Sequence, residues 1–178
     1  MISTSVCMEL MKCIEKRHSV RGYTDEPVPD SVVEEALKAA ILAPSAGNLQ
    51  ARDFVVVRSA ETKKKLAGAA NQPFIGDAPA IIVCCVNYDR IARYGQRGHD
   101  LYCLQDVAAS VENMLLYAAS KGYGTCWIGA FDEDKVKAAL GLPPNIRAVS
   151  MVPIGKAKKE GKQPPRLKLE EVVHRESW

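Results

Sequence analysis

LYCLQDVAASVENMLLYAASK, Leu101 to Lys121, places apolar Leu104, Val107, Ala108, Val111, Met114, Leu115 and Ala118 at helical spacing, and many residues between them are small or apolar too. Such a helix demands burial on most of its sides. A chain of 178 residues has little material with which to wrap about 20 helical residues completely. Either a second copy of the chain covers the remaining face, or the helix is the central core helix of a monomer.

Working outward toward the N-terminus, PAIIVCCV (79–86) reads as a buried strand, ETKKKLAGAA (61–70) as a short polar-faced helix and DFVVV (53–57) as a second buried strand, a β-α-β progression. The segment between the first of these strands and the long helix, NYDRIARYGQRGHD (87–100), reads as a surface loop. A helix is expected from Ser31 to Ala43, with Ser31 as N-cap, Glu34 completing a capping box and Pro44 as the stop. Before it, Val6 to Lys16 carries Leu10, Met11 and Ile14 at helical spacing and is interrupted at RHSVRGY. After the long helix come GTCWIGAF (124–131) as a strand, DEDKVKAAL (132–140) as a helix capped by Asp132, and IRAVSMVPIG (146–155) as a strand. KAKKEGKQPPRLK (156–168) reads as an exposed connection to a short terminal arm. The class is α+β, one sheet with helices packed on it, in a single domain over 1–178.

Composition removes several function classes. The formal net charge of +3 arises from 24 basic and 21 acidic residues scattered along the chain, which gives no footprint for nucleic acid. No apolar run approaches the ~20 residues a bilayer needs, and Lys12, Glu15 and Lys16 stand where a secretory segment is apolar, so a cytoplasmic chain with no membrane association is expected. Cys7, Cys13, Cys84, Cys85, Cys103 and Cys126 are read as reduced structural thiols. Cys7 and Cys13 lie six apart, and His18, His99 and His174 form no helical pair, so no metal site is expected.

No nucleophile elbow, Walker loop, dinucleotide fingerprint or zinc-protease helix occurs. A protein whose side chains supply no reaction of their own fits a bound cofactor that carries the electrons. RHSVR gathers Arg17, His18, Ser19 and Arg21 at a helix-to-loop boundary, donors suited to a phosphate and an extended polar chain, although basic residues there also complement a helix dipole. PSAGNLQ combines Pro44, Ser45, Asn48 and Gln50 with small Ala46 and Gly47, and read alone is first of all a helix-terminating loop.

In this order, R-x-S-x-R followed about 25 residues later by P-S-x-x-N-x-Q, the two motifs resemble the flavin-dependent nitroreductase family. The likeness continues through DAPAIIVCCV (77–86), the long helix with its following strand and helix (104–143), VPIGK (152–156) and PPRLKLEEVVH (164–174). It implies a nitroreductase-like sheet flanked by helices, a long buried interface helix and a C-terminal arm, in a homodimer with FMN at the interface. It further implies that Arg17, His18 and Ser19 contact the flavin phosphate and ribityl chain, that Arg166 completes the phosphate clamp and that Arg21 approaches the N1/O2 edge. Pro44, Ser45, Ala46, Asn48 and Gln50 are implied to line the ring from the partner subunit, with the backbone of Ile128, Gly129 and Ala130 on the N5 side. No dedicated acid or base is implied: hydride passes at N5, with Arg21 stabilising the anionic reduced ring. Two departures stand out. Ala51 and Arg52 occupy the places where many relatives carry Pro-Trp, and WIGAF has no glutamate near N5.

On the substrate side, the short 87–100 segment gives little material for a lid and implies an open pocket, while its Arg93 and Arg97 suit an anionic substrate or NAD(P)H. Asn71, Gln72 and Phe74 lie where relatives approach the ring, Phe74 being equally a core candidate. The expected activity is reduction of nitroaromatics, quinones or similar flat electrophiles by NAD(P)H in a ping-pong sequence. The alternatives are a specialised relative that dehalogenates or fragments flavin, and a non-catalytic flavin-binding protein.

Overall fold

The computed structural model describes residues 9–178, so Cys7 and the part of the first expected helix before Glu9 lie outside the described residues. The strands are β1 (Arg52–Val57), β2 (Ala80–Asn87), β3 (Gly124–Thr125) and β4 (Ile146–Gly155), and they form one antiparallel sheet in the order β1-β2-β4-β3. The helices follow the chain as α1 (Leu10–Lys16), α2 (Asp30–Ile41), α3 (Ala60–Ala70), α4 (Phe74–Asp77), α5 (Tyr88–Ile91), α6 (Gly95–Arg97), α7 (Cys103–Ser120), α8 (Glu133–Leu140) and α9 (Leu169–Val172).

β2 is the centre of the molecule. All its residues are buried, and its side chains alternate between two apolar clusters: Ala80, Ile82, Cys84 and Val86 in one, Ile81, Val83 and Cys85 in the other. A strand covered on both faces carries no polar alternation, which is why its sequence is an unbroken apolar run. α2 and α7 close the first face and α3 and α8 the second, giving helix, sheet and helix layers. Between Cys84 and Cys85 the register with β4 slips past Val149, a bulge that keeps both strands inward-facing across the irregularity.

α7 confirms the helix read from its period, and its stripe of Val107, Val111, Met114, Leu115 and Ala118 is buried in one chain. Its other side is not wet: only Gln105 and Glu112 are exposed, while Leu104, Ala108, Ala109 and Leu116 are half-buried. α3 begins at Ser59, whose hydroxyl accepts from Thr62 N at 3.4 Å, and α8 begins as expected at Asp132, whose carboxylate accepts from Lys135 N at 3.1 Å. Among the described residues no helix is long and apolar enough to cross a membrane.

Three local expectations are corrected. The capping box of Ser31 and Glu34 does not form: α2 starts one residue earlier behind Pro29, whose carbonyl accepts from Val32 N at 3.1 Å, and it ends at Ile41, before Pro44 is reached. The GTCWIGAF strand is reduced to Gly124 and Thr125 plus a single bridge between Ile128 and Met151. The 87–100 segment is not a loop but α5, a 3₁₀ turn (Ala92–Tyr94), α6 and a π-type turn (Gly98–Tyr102) that runs into α7. Asn87 caps it, its side-chain oxygen accepting from Arg90 N at 3.3 Å, while buried Ile91 and the half-buried Tyr88, Tyr94 and Tyr102 pack it on the core. Its helical period is hidden because only one apolar aliphatic residue per few turns is needed when tyrosines do the covering.

Candidate functional site

Behind α1 the chain runs extended through RHSVRGY, stitched to the open edge of the sheet. Val20 N donates to Thr125 O at 2.9 Å beside a parallel bridge between Ser19 and Thr125, Thr24 N donates to Lys156 O at 2.9 Å, and Lys158 N to Gly22 O at 3.0 Å. Tyr23 is the anchor: fully buried, it aims its hydroxyl at the carbonyls of Val20 (2.8 Å) and Pro153 (3.2 Å), and burial drives its pKa far upward, so it stays a donor. Gly124 permits the close approach, since a Cβ there would lie 2.6 Å from Val20 Cγ2. Arg17, Ser19 and Arg21, two apart in an extended segment, share a side. The thiol of Cys126 lies in their common field: burial raises its pKa, while Arg21, the Ser19 hydroxyl and Arg17 pull it down.

Arg17 and His18 open onto a cleft of about 720 Å³ lined also by Val20, Tyr123, Gly161 and Gln163. His18 places Nδ1 3.0 Å from the Lys16 carbonyl, and Arg17 Nε is a long 4.0 Å from Glu112. Gln163 donates to the carbonyls of Ile14 and Arg17, each at 3.1 Å, which pins the C-terminal connection over this cleft. Lys158 and Lys159 join Arg21 around an adjoining hollow, and exposed Arg166 follows on the same connection, its guanidinium turned to the Pro164 carbonyl at 3.2 Å. A row of cations with hydroxyl and backbone donors is a fitting receptor for a phosphate monoester on an extended polar chain.

The PSAGNLQ motif forms a strained, tightly held loop. Gly47, Asn48 and Gln50 all have left-handed backbone, with φ of 53°, 55° and 52°. Ser45 Oγ accepts from Gln50 N at 3.0 Å, and the buried carboxylate of Asp106 in α7 accepts from Ala46 N at 2.8 Å. Arg90 donates to the carbonyls of Gln50 (3.1 Å) and Arg52 (2.8 Å) while paired to Asp53 at 2.8 Å. The side-chain ends of Arg93 and Tyr94 lie directly against Gly47, so a Cβ there would push them aside as well as strain the left-handed backbone. Pro44 and Asn48 remain exposed, and Ser45 and Ala46 half-buried.

Within one chain the two motifs stay apart. The loop is tied to Asp106, near the start of α7, whereas Arg17 faces Glu112, six residues or roughly 9 Å further along, and its cleft extends to Ala119, thirteen residues along. Those thirteen residues span roughly 20 Å of helix.

Comparison with known proteins identifies the family. The model of the nitroreductase family matches residues 14–72 and 67–156. The chain belongs to the nitroreductase family. A relative from Archaeoglobus fulgidus, described provisionally as an NADH dehydrogenase/NAD(P)H nitroreductase, is 37% identical over 96% of this chain and 99% of its own. The FMN reductase [NAD(P)H] of Bacillus subtilis is 29% identical over 96% of this chain and 74% of its own. The solved structure of the NADPH:FMN oxidoreductase of Vibrio harveyi, complexed with NAD+, superposes with a TM-score of 0.88 at 27% identity, over 95% of this chain and 77% of that one.

In this nitroreductase-family chain the remaining sequence candidates are spread more widely. Ile128 is buried and paired to Met151, with Gly129 and Ala130 exposed just beyond it, a few residues after β3 ends at Thr125 and past buried Cys126. Asn71 adopts φ 52° as the C-cap of α3 and, with Gln72, lines a separate groove of about 480 Å³. Phe74 is half-buried and packs against the cluster of Val20, Tyr23 and Ala78, beneath RHSVR. Arg93 and Arg97 are exposed and held over Tyr94 and Tyr102, at 5.0 and 5.4 Å from the ring centroids. Gln163 and Asp106 escaped the sequence reading, for nothing in a local pattern marks a residue that reaches across the fold. Arg52 left a signal only as a departure from the pattern of relatives.

Proposed function

We propose that this chain is an FMN-dependent oxidoreductase that takes electrons from NAD(P)H and delivers them to nitroaromatics, quinones or similar flat electrophiles, as a cytoplasmic homodimer with the flavin at the subunit interface. The observation that carries the reading is the separation of the two motifs along α7: a cation cleft at one end and a strained polar loop at the other make one site only when a second copy is placed antiparallel. Exposed Leu10, Met11 and Ile14 on α1, and Leu167, Leu169, Val172 and Val173 on the terminal arm, give that second copy an apolar surface to cover.

Arg17, His18 and Arg166 are assigned to the phosphate and Ser19 to the ribityl chain. Pro44, Ser45, Ala46, Asn48 and Gln50 of the other subunit line the ring, and backbone N–H groups at Gly129 and Ala130 supply donors where relatives place a glutamate. When bound, the flavin supplies reversible acceptance of a hydride equivalent, so reductant and acceptor use one face in turn and initial-rate plots against both substrates are parallel lines. Arg21 holds positive charge beside the electron-rich edge. Arg93 and Arg97, poised over tyrosines, are assigned to the phosphates of the nicotinamide nucleotide, and Asn71, Gln72 and Phe74 to the acceptor side. The buried thiols fit a reducing compartment.

The purified protein is expected to be yellow and dimeric, and anaerobic addition of NADH or NADPH to bleach the flavin band. A colourless protein that refuses FMN overturns the reading, whereas a yellow protein that neither nucleotide bleaches is a flavin-binding protein without this activity.

A further inference from the structure

Arg52 is the first residue of β1, yet only 4% of it is exposed. One terminal nitrogen donates to the carbonyls of Ile41 (2.7 Å) and Ala43 (2.9 Å), and the other reaches Pro44 O at 3.3 Å. Ile41 O is one of the acceptors that α2 leaves without a helical partner, and Ala43 O and Pro44 O belong to the turn that follows it, where the helix dipole also favours a cation. Asp106 acts on Arg52 electrostatically without forming an ion pair; it is itself 4% exposed, one of its oxygens holding Ala46 N at 2.8 Å while the other is buried without a partner. Arg52 and Asp106 thus grip successive peptide groups of the same short stretch, from Ile41 to Ala46, immediately before Gly47 and Asn48.

We propose that Arg52 is a positioning residue for the Ser45–Asn48 loop: its planar fork gathers three carbonyls at the end of α2 and, with Asp106 on the next amide, sets the left-handed turn that presents the loop to the flavin of the other subunit. This rests on the flavin reading above. A lysine cannot do the same work, because its single nitrogen cannot serve Ile41 and Ala43 from one position and Pro44 from another, as the two terminal nitrogens of the guanidinium do. Removing the guanidinium also strands Asp106 as an unbalanced buried charge, so two consequences, fold stability and loop placement, have to be separated.

The test uses full-length apoprotein stripped of FMN, titrated with FMN by quenching of flavin fluorescence, with the visible circular dichroism of the bound flavin and the Tm of each apoprotein. The variants are Arg52→Met, Arg52→Lys, Asp106→Asn and Arg52→Met/Asp106→Asn. Arg52→Met is expected to weaken FMN binding roughly tenfold or more, the scale of one lost charge-assisted hydrogen bond, and to alter the dichroism. Arg52→Lys recovers Tm more than it recovers affinity. The double variant, which removes the stranded charge but keeps an acceptor for Ala46 N, recovers Tm while FMN binding stays weak. Recovery of both Tm and affinity in the double variant, or unchanged affinity and dichroism in Arg52→Met, overturns the proposal. If Arg52→Met alone does not fold, the lysine and double variants carry the same comparison. Wild-type apoprotein that takes no FMN removes the flavin reading itself, and the proposal with it, which distinguishes that failure from a loss confined to the variants.

Discussion

Arg21 is exposed beside the buried thiol of Cys126, on a segment held at both ends by main-chain hydrogen bonds to Thr125 and Lys156. Its backbone is therefore fixed by its neighbours, and truncating the side chain removes charge without removing structure. Arg21→Ala is expected to leave FMN binding nearly intact and to lower the flavin midpoint potential by on the order of 30 mV, a tenfold loss in preference for the reduced form. Dye-equilibrated reductive titration measures this, and an unchanged potential removes Arg21 from that role. A different residue-scale effect belongs to Cys84 and Cys85, whose thiols burial pushes from 9.0 up to about 12 each. Their folded values are raised, so their contribution is fully present below 9.0 and is lost as pH climbs toward 12. Wild type should lose stability steeply in that window, up to about tenfold in the unfolding constant per pH unit per thiol, and Cys84→Ala/Cys85→Ala should flatten the limb in denaturant titrations. Arg17, His18 and Ser19 were legible in the sequence because their grouping is local. Arg52, Asp106 and Gln163 were not, because each acts on carbonyls or amides supplied by distant elements.

Elements were legible in proportion to how far their period is set by burial on one cluster. β2 reads as a strand because both of its faces are covered, and α7 as a helix because its stripe runs unbroken from Cys103 to Ala118. The 87–102 segment escaped because its turns are short, of mixed hydrogen-bond spacing, and packed through tyrosines instead of an aliphatic stripe. α8 is attached differently again: Glu133 and Arg147 of β4 form a two-pronged pair at 2.7 and 2.8 Å. The hydrogen bond from Arg147 holds the Glu133 carboxyl below its usual range, so the contribution is present above the ordinary glutamate pKa and is lost as pH falls. Both side chains are nearly half exposed, and solvent limits the pair to about 0.2–1 kcal/mol. Glu133→Gln should lower Tm slightly at neutral pH and not at all in strong acid. A deficit that persists in acid shows instead that packing, and not charge, joins α8 to the sheet.

At the scale of the whole molecule, the last part of the chain has nothing to rest on. Beyond Gln163 the described residues are exposed, including Leu167, Leu169, Val172, Val173 and Trp178, although a single chain buries such side chains whenever it can reach its own surface. Gln163 fixes where this arm departs, over the carbonyls of Ile14 and Arg17 and next to the exposed Leu10, Met11 and Ile14. An apolar arm leaving the cation cleft beside an apolar helix face fits a second copy that covers both, and none of the four strands depends on it. Deleting 164–178 should therefore leave the circular dichroism of the sheet core close to wild type while shifting the sedimentation coefficient from dimer to monomer. FMN should be lost together with the dimer, because the cleft would lose Arg166 and would no longer face the Ser45–Asn48 loop of a partner. A truncated protein that stays dimeric and yellow means that α7 alone closes the interface; one that becomes monomeric yet keeps FMN means that a single chain builds the site, against the separation of the two motifs along that helix.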